Sequence, residues 1–548
     1  MMENIPFLTL LTFSPLLGII ILAFINRDNA KWLRIVGIAT TFIPLILSIF
    51  IYSLFNKTNG AAQLSEHFQW LHLPLNVEAI IFQNIGIDPQ QIQFLDVSFR
   101  SFYSLAVDGF SLPLIILTTF VVAMAALASV HIKSRWKTFY ILFLLLEIGI
   151  LGVFMARDLV MFFIFFEMTL VPMFFLIGIW GYQNKERAAN RFLIYNGLGS
   201  AIMLFAFLVI IATAGATVDD KITTKFVMEY SSSIDTIASN FSDPTAPVNV
   251  ANSDGFNTFM SEGMKTTLFV LLFIAFGIKL PIFPFHTWML KVHAEAPPSV
   301  VMIHSGILLK MGAYGLIRFG VLFFPEQAKN WALVLAILGA VNIIYGALNA
   351  YRQTDFKLIL AYSSISHMGI ILIGLAAFNE LGFQAVIIQL ISHGLISALM
   401  FLLVGSFYER TKTTMVEQLG GLAKALPFMS AVLLFAGMAL LGLPSLSGFV
   451  GELLAFMALY EQYPVVTLIS TLGVILAAVY VLRGVMKMTY GPLKENLQVQ
   501  KDAVLVEAIP MIALIALIIL VGVYPSIITD MTQTTIEGFL KQISVMGG

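Results

Sequence analysis

The chain has no cysteine, and only 11% of its 548 residues are charged. Without thiolates it supplies no ligand set for an iron–sulfur cluster, no cysteine zinc site and no disulfide. No glycine-rich nucleotide loop follows a strand pattern and opens a helix pattern. Any redox chemistry it serves belongs to other chains, and no cofactor or metal is expected in this one. An excess of either charge is also missing: 30 Lys and Arg stand against 31 Asp and Glu, for a formal net charge of −1. That balance offers nucleic acid no reason to bind. What is present in quantity is hydrocarbon, with 59% hydrophobic residues and a mean hydropathy of +0.91, far beyond a soluble domain of this length. The chain reads as an all-α polytopic membrane protein.

A spanning helix needs about 20 mostly apolar residues. Fourteen segments qualify: 6–25, 33–55, 106–130, 137–156, 158–181, 191–214, 264–290, 299–319, 330–350, 358–377, 382–409, 427–461, 465–490 and 504–527. No basic region precedes the first, so it reads as a helix and not as a cleaved signal. Alternate loops carry nineteen Lys and Arg on one side against nine on the other. Because basic loops stay on the cytoplasmic side, both termini are expected to fall outside. Two external segments are long. Residues 56–104 hold alternating stretches, Gln69 to Val77 and Ile92 to Phe99, around Asp88-Pro89, which predicts a small hairpin. Residues 215–263 are polar and acidic and are expected to form a solvated loop.

Five ionisable residues lie deep in these spans: Glu147, Glu167, Lys279, Lys310 and Glu452. A charge at a helix centre costs roughly 2.5–3.5 kcal/mol on insertion scales, so each is a functional candidate. One static ion pair would explain two of them. Five separated positions fit proton movement better, because a buried Lys gives up its proton more easily and a nearby carboxylate opposes that. His286, His304, His367 and His393 add imidazoles able to take and give a proton near neutral pH. His304, six residues before Lys310, falls on another face of its helix; with Glu167 and His286 it is a weaker candidate than Glu147, Lys279, Lys310, His367, His393 and Glu452. No pair of these histidines has a metal-ligand spacing.

Two spans are interrupted beside their charges. Pro281 and Pro284 follow Lys279, and Gly442, Pro444, Ser447 and Gly448 precede Glu452. Proline removes a backbone donor, and non-helical backbone survives in a membrane only where protein or a water cavity satisfies it. Paired interruptions with a charge at each predict two half-channels.

Lys279 to Arg318, KLPIFPFHTWMLKVHAEAPPSVVMIHSGILLKMGAYGLIR, closely resembles the signature of the antiporter-like proton-channel subunits of respiratory complex I. The resemblance implies two inverted five-helix repeats, residues 137–323 (spans 4–8) and 324–490 (spans 9–13), with spans 7 and 12 broken. Residues 1–136 would precede them and 491–548 follow. It assigns Glu147, Lys279 and Lys310 to the family's proton-transfer positions, with Lys279 paired to Glu147. Glu452, within GLPSLSGFVGELL, selects the M type, since the L and N types carry Lys there. Expected neighbours are L-type and N-type chains and lipid, with NADH, FMN, iron–sulfur clusters and quinone in partner chains. The sequence departs from the pattern where the family commonly has Trp-Leu-Pro-Asp-Ala-His: this chain has Trp288 to His293 with Lys291 in the acidic place, and neither Lys291 nor His293 is expected to act in transport. A cation/proton antiporter subunit, driven by ion gradients without redox coupling, is the alternative.

Overall fold

In the computed structural model, which describes residues 5–75, 95–219, 226–250, 258–493 and 501–546, twelve helices are long and apolar enough to cross a membrane. The two remaining expected spans are each split. The seventh runs as Glu262–Lys279, breaks, and restarts as Thr287–Glu295. The twelfth runs as Pro427–Leu440 and Ser447–Tyr460. A last helix, Ser526–Met546, packs back on the bundle, with Phe539 edge-on to Phe110 and Phe383.

The helices sort by what they carry. Pro298–Val321, with Lys310, and Glu380–Thr411, with His393, are buried along their apolar windows, and Phe356–Ala376, with His367, nearly so. Helices near the ends of the chain, such as Ala30–Leu54, Pro464–Thr489 and Leu505–Val523, expose most of their apolar surface. A bilayer tolerates Leu at a protein's surface but not an ammonium. The charged helices therefore form the centre, with apolar helices between them and lipid.

The expected hairpin is present as β1 (Gln63–Pro74) and β2 (Leu95–Val107), paired antiparallel; its turn at Asp88-Pro89 lies outside the described residues. The expected solvated loop at 215–263 is corrected by the structure. Its described part forms β3 (Ala216–Asp219), β4 (Phe226–Ser231) and a helix, Ile234–Ser242. β4 pairs parallel with β2, completing a four-stranded sheet of order β1-β2-β4-β3. Strands this short and this far from their partner leave no local periodicity to read; they order because β2 offers an edge. Two buried acids fasten the sheet to the bundle. Glu66 of β1 accepts from Leu8 N at 2.7 Å and Thr9 N at 3.0 Å, satisfying donors at the start of the first helix. Asp158 accepts from Ser101 Oγ, Phe102 N and Ser232 Oγ while capping the helix Leu159–Trp180 through Val160 N and Met161 N.

Arg318, expected in an external loop, is instead buried at the end of the Lys310 helix, where it pairs with Asp108. Burial pushes the Asp108 carboxyl up, but Arg318, Arg157 and the Ser111 backbone outweigh it and hold the group below the usual carboxylate range.

Candidate functional site

The centre of the bundle holds a line of ionisable side chains. It starts in the Lys310 helix, which contains a π-helical segment, His304–Leu308. Such segments shift the backbone ladder and recur at functional sites. Here the Ser305 carbonyl accepts from Lys310 Nζ at 2.6 Å. The same ammonium lies 2.6 Å from His393 Nδ1. Gly394 permits this approach: a Cβ on it would stand 2.8 Å from the Gly306 carbonyl and 2.7 Å from Leu117. Gly394→Ala is expected to cost about 1–3 kcal/mol of stability through overpacking and to separate Lys310 from His393. A lowered thermal midpoint in detergent, together with weakened pumping in whatever assembles, checks it.

His393 faces His367, with ring centroids 5.4 Å apart. His367 Nδ1 lies 2.8 Å from the Ser363 carbonyl, which can only accept, so this nitrogen carries a proton. Its Nε2 stands 3.3 Å from Glu452 Oε1. A proton between that nitrogen and that carboxyl can rest on either partner, as a proton-passing contact requires. Behind Glu452 the helix break supplies room: Gly442 has φ +69°, and a Cβ there would lie 2.6 Å from Glu452 Oε2. Lys310, His393, His367 and Glu452 are therefore brought together as one buried line.

Around Lys279 the geometry departs from expectation. Lys279 makes no ion pair among the described residues and does not pair with Glu147. Its Nζ lies over the rings of Phe166, at 4.9 Å, and Phe192, at 5.7 Å, and the carboxylate acting on it electrostatically is Glu167. Phe162 and Phe166, on the Glu167 helix, pack edge-on against Phe276 of the Lys279 helix, which is why Glu167 is the acid within reach. Glu147 is fully buried, and neither carboxyl oxygen has a hydrogen-bond partner among the described residues. The expected Lys279–Glu147 ion pair is not formed among the described residues, and Glu167 is the acid whose charge reaches Lys279. The break after Lys279 is satisfied by protein: Trp288 Nε1 donates to the Ile278 carbonyl at 3.0 Å, and Phe283 N to Asn342 Oδ1 at 2.8 Å.

A histidine pair joins His304, a weaker candidate by sequence, to His293, which was not expected to act in transport. His293 Nε2 lies 3.0 Å from His304 Nδ1, both rings are buried, and each keeps its other nitrogen unpartnered among the described residues. His304 feels the charges of both Lys279 and Lys310. Lys357, expected in a basic loop, is also buried, with Nζ 3.7 Å from the Tyr182 ring centroid and 3.4 Å from the carbonyl of Ala294, next to His293. The one sequence signal for His293 was its place eleven residues before His304, a separation that means nothing until the backbone between them folds. His286 stays outside the line, with Nε2 3.2 Å from the Tyr345 hydroxyl. Among the described residues no three His, Asp or Glu side chains stand together as a metal site needs.

The arrangement can hold protons at several buried positions and hand them between neighbours. Comparison with known proteins agrees with such a role. Residues 156–479 match the family described as NADH:quinone oxidoreductase/Mrp antiporter, transmembrane. The chain is 35% identical to NADH-quinone oxidoreductase subunit M of Rhodobacter capsulatus, covering 98% of this chain and 97% of that one. Among solved structures it resembles a chain of respiratory complex I from Thermus thermophilus with bound NADH, with a TM-score of 0.78 and 25% identity over 98% of this chain and 99% of that chain. A chain of the Mrp complex from Dietzia shares the fold, with a TM-score of 0.75 at 19% identity over 99% of this chain and 100% of that one. With this buried line, these breaks and near full-length likeness to an M subunit, the chain belongs to the NADH:quinone oxidoreductase/Mrp antiporter membrane family.

Proposed function

We propose that the chain is the M-type proton-translocating subunit of a bacterial NADH:quinone oxidoreductase. It would lie in the inner membrane with both termini periplasmic, between L-type and N-type neighbours. NADH, FMN, iron–sulfur clusters and quinone would be held by partner chains, which release the redox energy; this chain moves protons. The observation that carries the reading is the buried line Lys310, His393, His367, Glu452, whose members succeed one another at hydrogen-bond or ring-contact distance.

In this reading residues 137–323 and 324–490 form two repeats, each with one break. Lys279 is the switch. Approach of Glu167 stabilises its ammonium, and withdrawal favours release of the proton. His304 and His293 lie between Lys279 and Lys310, and Lys310 loads the line that ends at Glu452. Glu147, buried with no hydrogen-bond partner among the described residues, is a further carboxyl able to bind a proton in the first repeat.

The alternative is a subunit of a cation/proton antiporter, which the shared fold of the Mrp chain keeps in view. Purified complex reconstituted in vesicles separates the two. The proposal expects NADH and quinone to drive proton movement without sodium. Sodium-dependent proton exchange in the absence of NADH, with no response to NADH, would overturn it.

A further inference from the structure

At the basic end of the bundle a cavity of about 180 Å³ opens between the start of the helix Lys185–Thr213 and the short helix Thr287–Glu295, lined by Asn184, Arg187, Ala188, Arg191, Lys291 and Glu295. Arg187, Arg191 and Lys291 are exposed and form no ion pair or hydrogen bond among the described residues. The single acid is already engaged, since Glu295 accepts from Asn184 N at 2.9 Å and from Asn184 Nδ2 at 3.3 Å. Among the lining side chains three cations stand against one engaged carboxylate, which leaves the cavity positive; Glu186, in the first turn of the 29-residue helix, does not line it and offsets the helix N-terminus. Lys291, where the family commonly has an acid, contributes one of the three.

The helix beneath the arginines gives the ligand its second half. Arg187, Arg191, Ile194, Leu198, Ala201, Phe205 and Leu208 recur at alternating steps of four and three, so they share one face. Its apolar members are open to the surroundings: Ile194 is 66% exposed, Leu198 58%, Phe205 59% and Leu208 56%. A cationic cavity at the end of a spanning helix, above an exposed apolar stripe on that helix, is complementary to an anionic amphiphile. We propose that this cavity binds the phosphate of an anionic phospholipid, whose acyl chains lie along the stripe. A zwitterionic lipid brings its own cation into a site that already holds three. Because Lys291 and His293 share a helix of nine residues, a bound headgroup also tethers the segment that positions the histidine pair. The binding site itself stands whether or not the chain pumps protons.

The test uses the assembled membrane complex, purified through this chain, delipidated and titrated with phosphatidylglycerol in native mass spectrometry, with phosphatidylcholine as control. Wild type is expected to retain one more tightly held phosphatidylglycerol than the variant carrying Arg187→Gln, Arg191→Gln and Lys291→Gln. That variant should bind it about tenfold or more weakly, with phosphatidylcholine binding unchanged. Equal phosphatidylglycerol binding by the two complexes overturns the proposal. Should the triple variant fail to assemble, Lys291→Asp, which restores the family's acid, and a density map of wild type in phosphatidylglycerol nanodiscs decide. Lipid density in the cavity, weakened in Lys291→Asp, supports the site; a protein segment or empty solvent there overturns it.

Discussion

With Lys310→Ala, NADH-driven proton movement by the assembled complex is expected to fall about tenfold or more, on the scale set by removing one proton-transfer group. Electron transfer from NADH to an artificial acceptor, which needs only the partner chains, should persist. The substitution removes the residue that touches both the Ser305 carbonyl and His393 Nδ1, each at 2.6 Å, and so breaks the contact that begins the line. Lys310→Arg separates charge from proton transfer. Arginine keeps the positive charge but does not release its proton in a protein. If Lys310 served only as a fixed cation, Arg would restore pumping. The line from Lys310 to Glu452 requires that it does not.

Glu167→Gln is expected to have the next largest effect. An opposite charge within a few ångströms is worth about one to three powers of ten in a protonation equilibrium, and Glu167 is the carboxylate acting on Lys279. Without it, Lys279 loses the carboxylate whose charge favours its loaded form. Glu147→Gln is the matched comparison, since Glu147 makes no hydrogen bond or ion pair among the described residues. Pumping in reconstituted vesicles should be lower in Glu167→Gln than in Glu147→Gln. The reverse order would return Glu147 to the role of partner.

The contrast between these two acids shows what the sequence could and could not say. Depth was legible: an acid or a lysine in the middle of an apolar run is buried somewhere, and Glu147, Glu167, Lys279, Lys310 and Glu452 were all visible on that ground. So were the two breaks, because Pro281, Pro284, Gly442 and Pro444 interrupt otherwise continuous runs. Partnership was not legible. Which acid meets Lys279 depends on helix rotation and on which helices touch, and here the packing of Phe162 and Phe166 against Phe276 settles it. His293 was passed over for the same reason. The nine-residue helix that carries it turns its imidazole toward His304 only after the break has been made.

The external sheet failed differently. β1 and β2 announced themselves by alternation, whereas β3 and β4 exist because β2 has a free edge, and their short, acidic sequence reads as loop in isolation. Lys357 and Arg318 were counted as loop cations in setting the orientation. Both are buried, one against Tyr182 and one beside Asp108. Basic residues at helix ends thus entered the orientation count without showing what they contact.

Glu452 ends the line, so the number of protons moved per NADH oxidised by a reconstituted complex carrying Glu452→Gln tests the account most directly. A glutamine preserves shape and polarity next to His367 but cannot bind and release the proton shared with Nε2. The prediction is continued NADH oxidation with fewer protons moved per NADH than in wild type. A fully assembled Glu452→Gln complex with an unchanged ratio would contradict it.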